Sequence, residues 1–141
     1  MSARVASDYN AAHNYDRIIE LVEPGARVLD LGCGDGVLLR RLRDERDVSG
    51  LGVEIDQEAI IRCVKAGVDV VQNDLDTGIA EFADQSYDVV ILNQTLQVTH
   101  RSDLVLREVL RVGRRGIVTF PNFGYWKIRC QVFFEGRTPV S

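Results

Sequence analysis

Val28-Leu29-Asp30-Leu31-Gly32-Cys33-Gly34-Asp35-Gly36 runs an apolar strand straight into three alternating glycines, and the helical run Val37-Leu38-Leu39-Arg40-Arg41-Leu42 follows at once. Glycine permits backbone angles closed to other residues and removes the Cβ that would hold a ligand away. The start of the next helix offers unpaired N–H groups to a negative or polar group. The stretch therefore reads as a nucleotide-type binding loop. Its spacing chooses among ligands. A dinucleotide fingerprint, G-x-G-x-x-G, seats a pyrophosphate on the helix N-terminus. Here Gly36 comes one position early and Val37 stands where that fingerprint wants glycine. No Gly-Lys-Ser/Thr follows, which excludes a P-loop.

The segment from Asp30 to Gly36 closely resembles the class I S-adenosylmethionine (SAM) methyltransferase fold, in which the glycine loop faces the methionine end of the cofactor. A second strand, Leu51-Gly52-Val53-Glu54-Ile55, ends in a carboxylate about 20 residues beyond the loop, where a parallel sheet holds ribose hydroxyls. Glu54 is the predicted ribose ligand, since a carboxylate accepts two hydrogen bonds and suits two neighbouring hydroxyls. A third strand, Val68 to Gln72, runs into Asn73-Asp74-Leu75. The methyltransferase pattern places an acid there beside the adenine amino group, and Asp74 is the match. The resemblance thus implies a site for SAM or S-adenosylhomocysteine (SAH) built from Asp30, Gly32, Cys33, Gly34, Gly36, Glu54, Ile55, Asp74, Leu75 and Asn93. Each residue alone has a plainer reading. A glycine turn can be a tight connection, Glu54 and Asp74 can be solvated loop acids, and Cys33 can be a small residue that fits. Their occurrence together and in order decides for the cofactor fold.

Composition agrees with one domain over residues 1–141. The chain has 45% apolar residues, enough for a core. Seventeen basic against 21 acidic residues give a net charge of −4, which offers no general attraction for nucleic acid or an anionic membrane. Cys33, Cys63 and Cys130 are far apart in sequence, with no C-x-x-C pair and no His cluster, so no metal site or disulfide framework is implied. A reducing cytoplasm is the simplest home. No apolar run approaches the ~20 residues that span a bilayer.

Strand-like and helix-like segments alternate outward from the loop, which predicts an α/β fold with a doubly wound, mainly parallel, Rossmann-like sheet. Tyr15, Ile18, Ile19 and Val22 mark an amphipathic helix ended by Pro24-Gly25. Asp56 is a good N-cap for a crossover helix with an apolar stripe of Ile60, Ile61 and Val64 and a cap at Gly67. Tyr87 to Leu92 is a strand buried on both faces. A helix from about Asp103 to Val112 turns Leu106, Val109 and Leu110 inward, and Gly116 to Phe120 is a fifth strand. The superfamily normally adds two more strands, one antiparallel. Only Pro121 to Ser141 remain, and Tyr125 to Phe134 read as partly helical. The C-terminal strands are therefore predicted to be missing, as from a cut inside a larger domain. An exposed edge or apolar patch there could promote self-association, a homodimer being one form of it.

The catalytic side carries less. Methyl transfer needs alignment and, for a protonated acceptor, a base, and no clear base appears, so the catalytic residues stay unknown. The loop Asn93-Gln94-Thr95-Leu96-Gln97 lacks the Asn/Asp-Pro-Pro-aromatic set used on base amines. His100 beside Arg101, and His13, read more simply as surface residues. Arg107, Arg111, Arg114 and Arg115 read as a solvated face that favours the helix dipole rather than an anion site.

A narrower resemblance rests on Leu29 to Asp35, Gly52 to Asp56, Val90 to Gln97, and above all Leu106 to Arg115 followed by Phe120-Pro121-Asn122-Phe123-Gly124-Tyr125-Trp126. These look like the bacterial methionine biosynthesis protein MetW family, from about Arg27 onward. The resemblance implies work beside a homoserine O-acyltransferase, MetX, in homoserine acylation, with no established methyl acceptor. Trp126, Phe123, Tyr125 and the loop from Gln94 to Gln97 are then candidate contacts with that partner. The alternative is a SAM-dependent methyltransferase acting on a small molecule.

Overall fold

Alternation of side chains along the central strands decides which residues meet which helices. In the computed structural model, residues 14–77, 79–93, 101–122 and 125–133 are described, with side chains through Thr119. A helix, α1, covers residues 14–21. The chain continues as β1 (Arg27–Leu31), α2 (Val37–Arg46), β2 (Ser49–Glu54), α3 (Gln57–Lys65), β3 (Val70–Gln72), a 3-10 turn (Leu75–Thr77), β4 (Tyr87–Asn93), α4 (Ser102–Val112), β5 (Gly113–Asn122) and β6 (Tyr125–Phe133). The sheet order is β3-β2-β1-β4-β5-β6. All neighbours are parallel except β6, which runs antiparallel to β5.

Successive strand residues face opposite sides of the sheet. Val28 of β1, Val89 and Ile91 of β4 and Ile117 of β5 pack in one cluster with Ile18 and Ile19 of α1, Leu38, Leu39 and Leu42 of α2 and Cys63 of α3. Leu29 and Leu31, Val90 and Leu92, and Val118 pack in a second cluster with Val105, Val109 and Val112 of α4. Helices therefore cover both faces, as the alternating pattern predicts. Each fully buried Val or Leu contributes roughly 1.5–3 kcal/mol.

Three expectations need correction. Ile61 and Val64 of α3 are exposed, and the face turned inward is Ala59 and Cys63. On α4 the buried residues are Val105, Val109 and Val112, with Leu106 packed only partly. The tail from Tyr125 is a strand that runs antiparallel to β5, where a partly helical segment was expected. The signal was present. Trp126, Ile128, Cys130 and Val132 alternate with Lys127, Arg129 and Gln131, a period of two in aromatic and β-branched residues.

Caps follow the sequence closely. Asp56 accepts from the Glu58 N–H at 3.4 Å at the start of α3, and Gly67 takes a left-handed φ of 73° just beyond its end. Arg111 behaves differently from the expected solvated face. Its guanidinium donates to the carbonyls of Phe82 (2.7 Å) and Ile79 (3.0 Å) and pairs with Asp84 and Glu108. It staples the segment before β4 to α4.

Candidate functional site

Asp30, Asn93 and Thr119 lie on the same face of the sheet as Val28, Ile91 and Ile117, by the two-residue alternation and the pairings Asp30↔Ile91 and Asn93↔Thr119. They are the polar positions at the carboxyl ends of β1, β4 and β5. In an open α/β sheet a ligand crevice forms there, where strand order reverses between β1 and β4. A cavity of about 380 Å³ occupies this place. Of the predicted site residues, Asp30, Gly32, Cys33, Gly34, Glu54, Ile55, Asp74, Leu75 and Asn93 all line it. Gly36 does not; at the N-cap of α2, its missing Cβ would stand 3.1 Å from Cys63 Sγ and 3.2 Å from Val68. Tyr15, Asp35 and Asp76 also line it, together with Leu38, Val53 and Asn73, without having been predicted. Their signals, a tyrosine in the first helix and acids beside two binding turns, are too common to single out alone. His13, His100 and the loop from Gln94 to Gln97 lie outside the described residues, as do Phe123 and the side chains of Tyr125 and Trp126.

The glycine loop spends its N–H groups inside the protein. Gly32 and Cys33 both donate to the Val53 carbonyl, at 2.7 and 3.1 Å, and Gly36 donates to the Cys33 carbonyl at 3.1 Å. The Gly34 N–H donates to Glu54 Oε1 at 2.9 Å. The expected cluster of free N–H groups is thus largely paired, and a phosphate would find few donors. Gly34 has φ +58°, with nothing within 4 Å of the place a Cβ would take, so this crest is open to a ligand. Gly52 is the opposite case. A Cβ there would overlap Cys33 Sγ and stand 2.8 Å from Cys33 Cβ, so β2 can approach the loop only as glycine.

Glu54 is engaged more than the sequence suggests. Its Oε2 accepts from the N–H groups of Ile55 and Asp56, both at 2.9 Å. With Gly34, three donors fill most of the roughly four lone-pair sites of a carboxylate. Asp74 Oδ1 accepts from the Asp76 N–H at 2.9 Å and so caps the 3-10 turn at the cavity wall.

Deeper, the site buries polar groups. Asp30 is 2% exposed, and its Oδ1 has no hydrogen-bond partner. Burial, and secondarily the Glu54 charge, push its carboxyl up to about 7. Tyr15 is pushed up to about 12 by burial, then by Asp30, Asp35 and Cys33. Asn93 Oδ1 accepts from Asn14 Nδ2 at 2.7 Å and from Thr119 Oγ1 at 2.5 Å, which ties α1 and β5 to the cavity floor. Cys33 and Cys63, distant in sequence, bring their Sγ atoms to 3.8 Å as free thiols. Burial raises both above the usual thiol range. Among the described residues no group of His, Cys, Asp and Glu side chains could hold a metal ion.

Among the described residues the lining contains Asp30, Asp35, Glu54, Asp74 and Asp76 and no Lys, Arg or His. Such a wall repels pyrophosphate and suits a ligand of polar hydroxyls, an amine and positive charge. These residues fit a SAM-like molecule: an open glycine crest, a carboxylate at the end of β2, and an unpartnered buried oxygen.

The family model described as methionine biosynthesis protein MetW matches residues 12–141. The chain belongs to the MetW family. The bifunctional methionine biosynthesis protein MetXA/MetW of Rhodopirellula baltica is 40% identical over 145 residues, covering 97% of this chain and 23% of that protein. The ubiquinone biosynthesis O-methyltransferase of Salmonella paratyphi A is 38% identical over 78 residues, covering 52% of this chain and 32% of that protein. The MetW-family chain therefore spans less than a third of either curated relative. Among solved structures, a complex of a methyltransferase activator and a putative methyltransferase from Haloferax volcanii matches with TM-score 0.67 and 27% identity, over 78% of this chain and 50% of that chain. The MetW-family fold is thus methyltransferase-like.

Proposed function

We propose that this MetW-family chain is a SAM-binding accessory protein that acts with a homoserine O-acyltransferase in methionine biosynthesis. The observation that carries the partner is the Rhodopirellula baltica relative, whose name joins MetXA and MetW in one protein. Two activities on one polypeptide stay together at high effective concentration, which is expected of parts that work together. The cofactor half of the reading is supported by the cavity at the β1–β4 switch point and by the lining of Asp30, Gly32, Cys33, Gly34, Glu54, Ile55, Asp74, Leu75 and Asn93. When bound, SAM would supply either a methyl group or a regulatory signal. The chain's own residues do the rest: Gly34 leaves room, Glu54 receives ribose hydroxyls on its remaining acceptor capacity, and Asp74 faces the base.

A cytoplasmic location fits the buried Cys33 and Cys63, which keep thiol form in a reducing compartment. No described helix is long and apolar enough to cross a membrane.

The test mixes this chain with a homoserine O-acyltransferase and follows acylation of homoserine with and without SAM, with complex size measured alongside to separate a heterocomplex from a homodimer. We expect co-elution and a several-fold change in acylation that responds to SAM and is lost with Glu54→Ala. An acyltransferase indifferent to the chain, with no co-elution, would sink the reading. A second reading, a small-molecule methyltransferase, is favoured by the Salmonella paratyphi A relative. Transfer of labelled methyl from SAM to a metabolite extract would distinguish it.

A further inference from the structure

Cys33 and Cys63 are 30 residues apart in sequence, one in the glycine loop and one on α3, yet their Sγ atoms stand in contact at 3.8 Å. Two glycines keep the space that the sulfurs fill. A Cβ on Gly52 would overlap Cys33 Sγ, and one on Gly36 would stand 3.1 Å from Cys63 Sγ. The thiols also share an acceptor: Cys63 Sγ donates to the Gly34 carbonyl at 3.1 Å, and Cys33 Sγ reaches the same oxygen at 3.7 Å. Access to them is unequal. Cys33 is 7% exposed and lines the cavity, whereas Cys63 is fully buried and does not.

We propose that Cys33 and Cys63 form a modification site, a pair of thiols that a small peroxide entering the cavity converts to a reversible disulfide, tying the glycine loop to α3. This goes beyond the SAM reading and stands without it. Cys33, reached first, attacks as its thiolate one oxygen of hydrogen peroxide. The O–O bond breaks, the departing hydroxide takes up the proton of the thiol as water, and Cys33 becomes a sulfenic acid. The Cys63 sulfur then attacks Cys33 Sγ, the S–O bond breaks, and hydroxide leaves as water with the Cys63 proton. The pair loses two electrons and two protons, and one peroxide becomes two waters. The sulfurs must close from 3.8 Å to a bonded distance of about 2.05 Å, a shift of about 0.9 Å for each side chain. Burial holds both thiols above the usual range, so neither attacks fast, and the pair answers to sustained oxidant rather than to a brief pulse. A reducing compartment returns it to the dithiol. Oxidation removes both S–H donors from the Gly34 carbonyl and draws Cys33 Sγ toward α3, so the crest at Gly34 must resettle. The same crest holds Glu54 through the Gly34 N–H, which makes ligand affinity a readout of the link.

The experiment exposes the reduced full chain to hydrogen peroxide for increasing times, unfolds it in urea with N-ethylmaleimide to block the remaining thiols, and maps tryptic peptides by mass spectrometry. SAM affinity is measured by calorimetry before oxidation, after it, and after dithiothreitol. We expect residues 28–40 joined to residues 63–65, release of the link by dithiothreitol, and SAM binding several-fold weaker in the oxidised form and restored on reduction. Blocked, unlinked Cys33 and Cys63 after prolonged oxidation would overturn the proposal. So would Cys33 carried to sulfinic acid without a link, or a link to Cys130 in place of Cys63. A link with unaltered SAM affinity would overturn its effect on the cavity. No SAM binding by the reduced chain would defeat the cofactor reading alone, since the peptide map decides the pair without it. Cys63→Ser removes the second sulfur, and dimedone is then expected to capture a sulfenic acid at Cys33; no capture there would defeat the order of attack. Should that variant not fold, the peptide map of the unaltered chain still decides.

Discussion

The Gly34 N–H donates to Glu54 Oε1 at 2.9 Å, so the end of β2 grips the crest of the glycine loop. Loop and carboxylate are one unit. Glu54→Gln places an amide NH₂ where one of three backbone donors now finds an oxygen, setting donor against donor. A charge-assisted bond is lost as well. We expect a loss of about 1–3 kcal/mol in urea unfolding, together with weaker SAM binding by calorimetry. Unchanged stability would show that the three bonds do not persist in solution.

Gly52 makes a second point of contact between β2 and the loop. Gly52→Ala forces a Cβ into Cys33, and the loop must move because Leu39 Cδ1 closes the other side at 3.2 Å. Overpacking of this kind costs typically 1–3 kcal/mol. Adding Cys33→Gly removes the obstructing side chain, so the double variant should recover part of the lost affinity for SAM even where glycine's flexibility lowers stability. Equal affinity in the single variant and the unaltered chain would argue that the loop has slack.

Arg111 provides a test away from the cavity. Its ion pair with Glu108 comes with bonds to two carbonyls, and the Arg111 hydrogen bonds hold the Glu108 carboxyl below the usual range. Arg111→Ala leaves the carbonyls of Ile79 and Phe82 without this donor and Glu108 without its counter-charge. We expect a loss of about 2–4 kcal/mol by denaturant titration. Arg111→Lys cannot reproduce the fork and should recover less than half. A loss under about 0.5 kcal/mol, the range of an exposed surface change, would mean that the segment before β4 is held by other contacts.

Arg111 also shows where sequence reading stops. The strand-loop-helix at Val28–Leu42, the acid at Glu54 and the cap at Asp56 were legible because local chemistry sets them: glycine angles, an acceptor at a helix start, an apolar run. The strand Tyr125–Phe133 is legible too, in its two-residue alternation, and the partly helical reading gave that period too little weight. Partner choice is different. Nothing local says that Arg111 reaches back to Phe82, or that Cys33 lies 3.8 Å from Cys63. The same holds for Asp30: the motif placed it at the cavity, whereas its missing partner follows from how β1, β2 and α1 enclose it.

That enclosure predicts an unusual pH dependence of stability. Unfolded, an Asp ionises near 3.9; folded, Asp30 ionises near 7. Between these values the folded state holds a proton that the unfolded state has released, so stability from this group falls as pH rises from about 4 to 7 and is level above. Glu108, shifted the other way, contributes stability above the ordinary carboxylate range and loses it only as pH falls through its lowered value, outside this window. The ligand-free protein should therefore lose up to about 3 kcal/mol between pH 5 and 8 through Asp30. Asp30→Asn removes that slope and should be the more stable protein at pH 8. Urea unfolding of both proteins at pH 5, 6.5 and 8 reads it directly. Parallel stability curves would mean that Asp30 is ionised in the fold throughout, with a partner supplied from elsewhere in the chain.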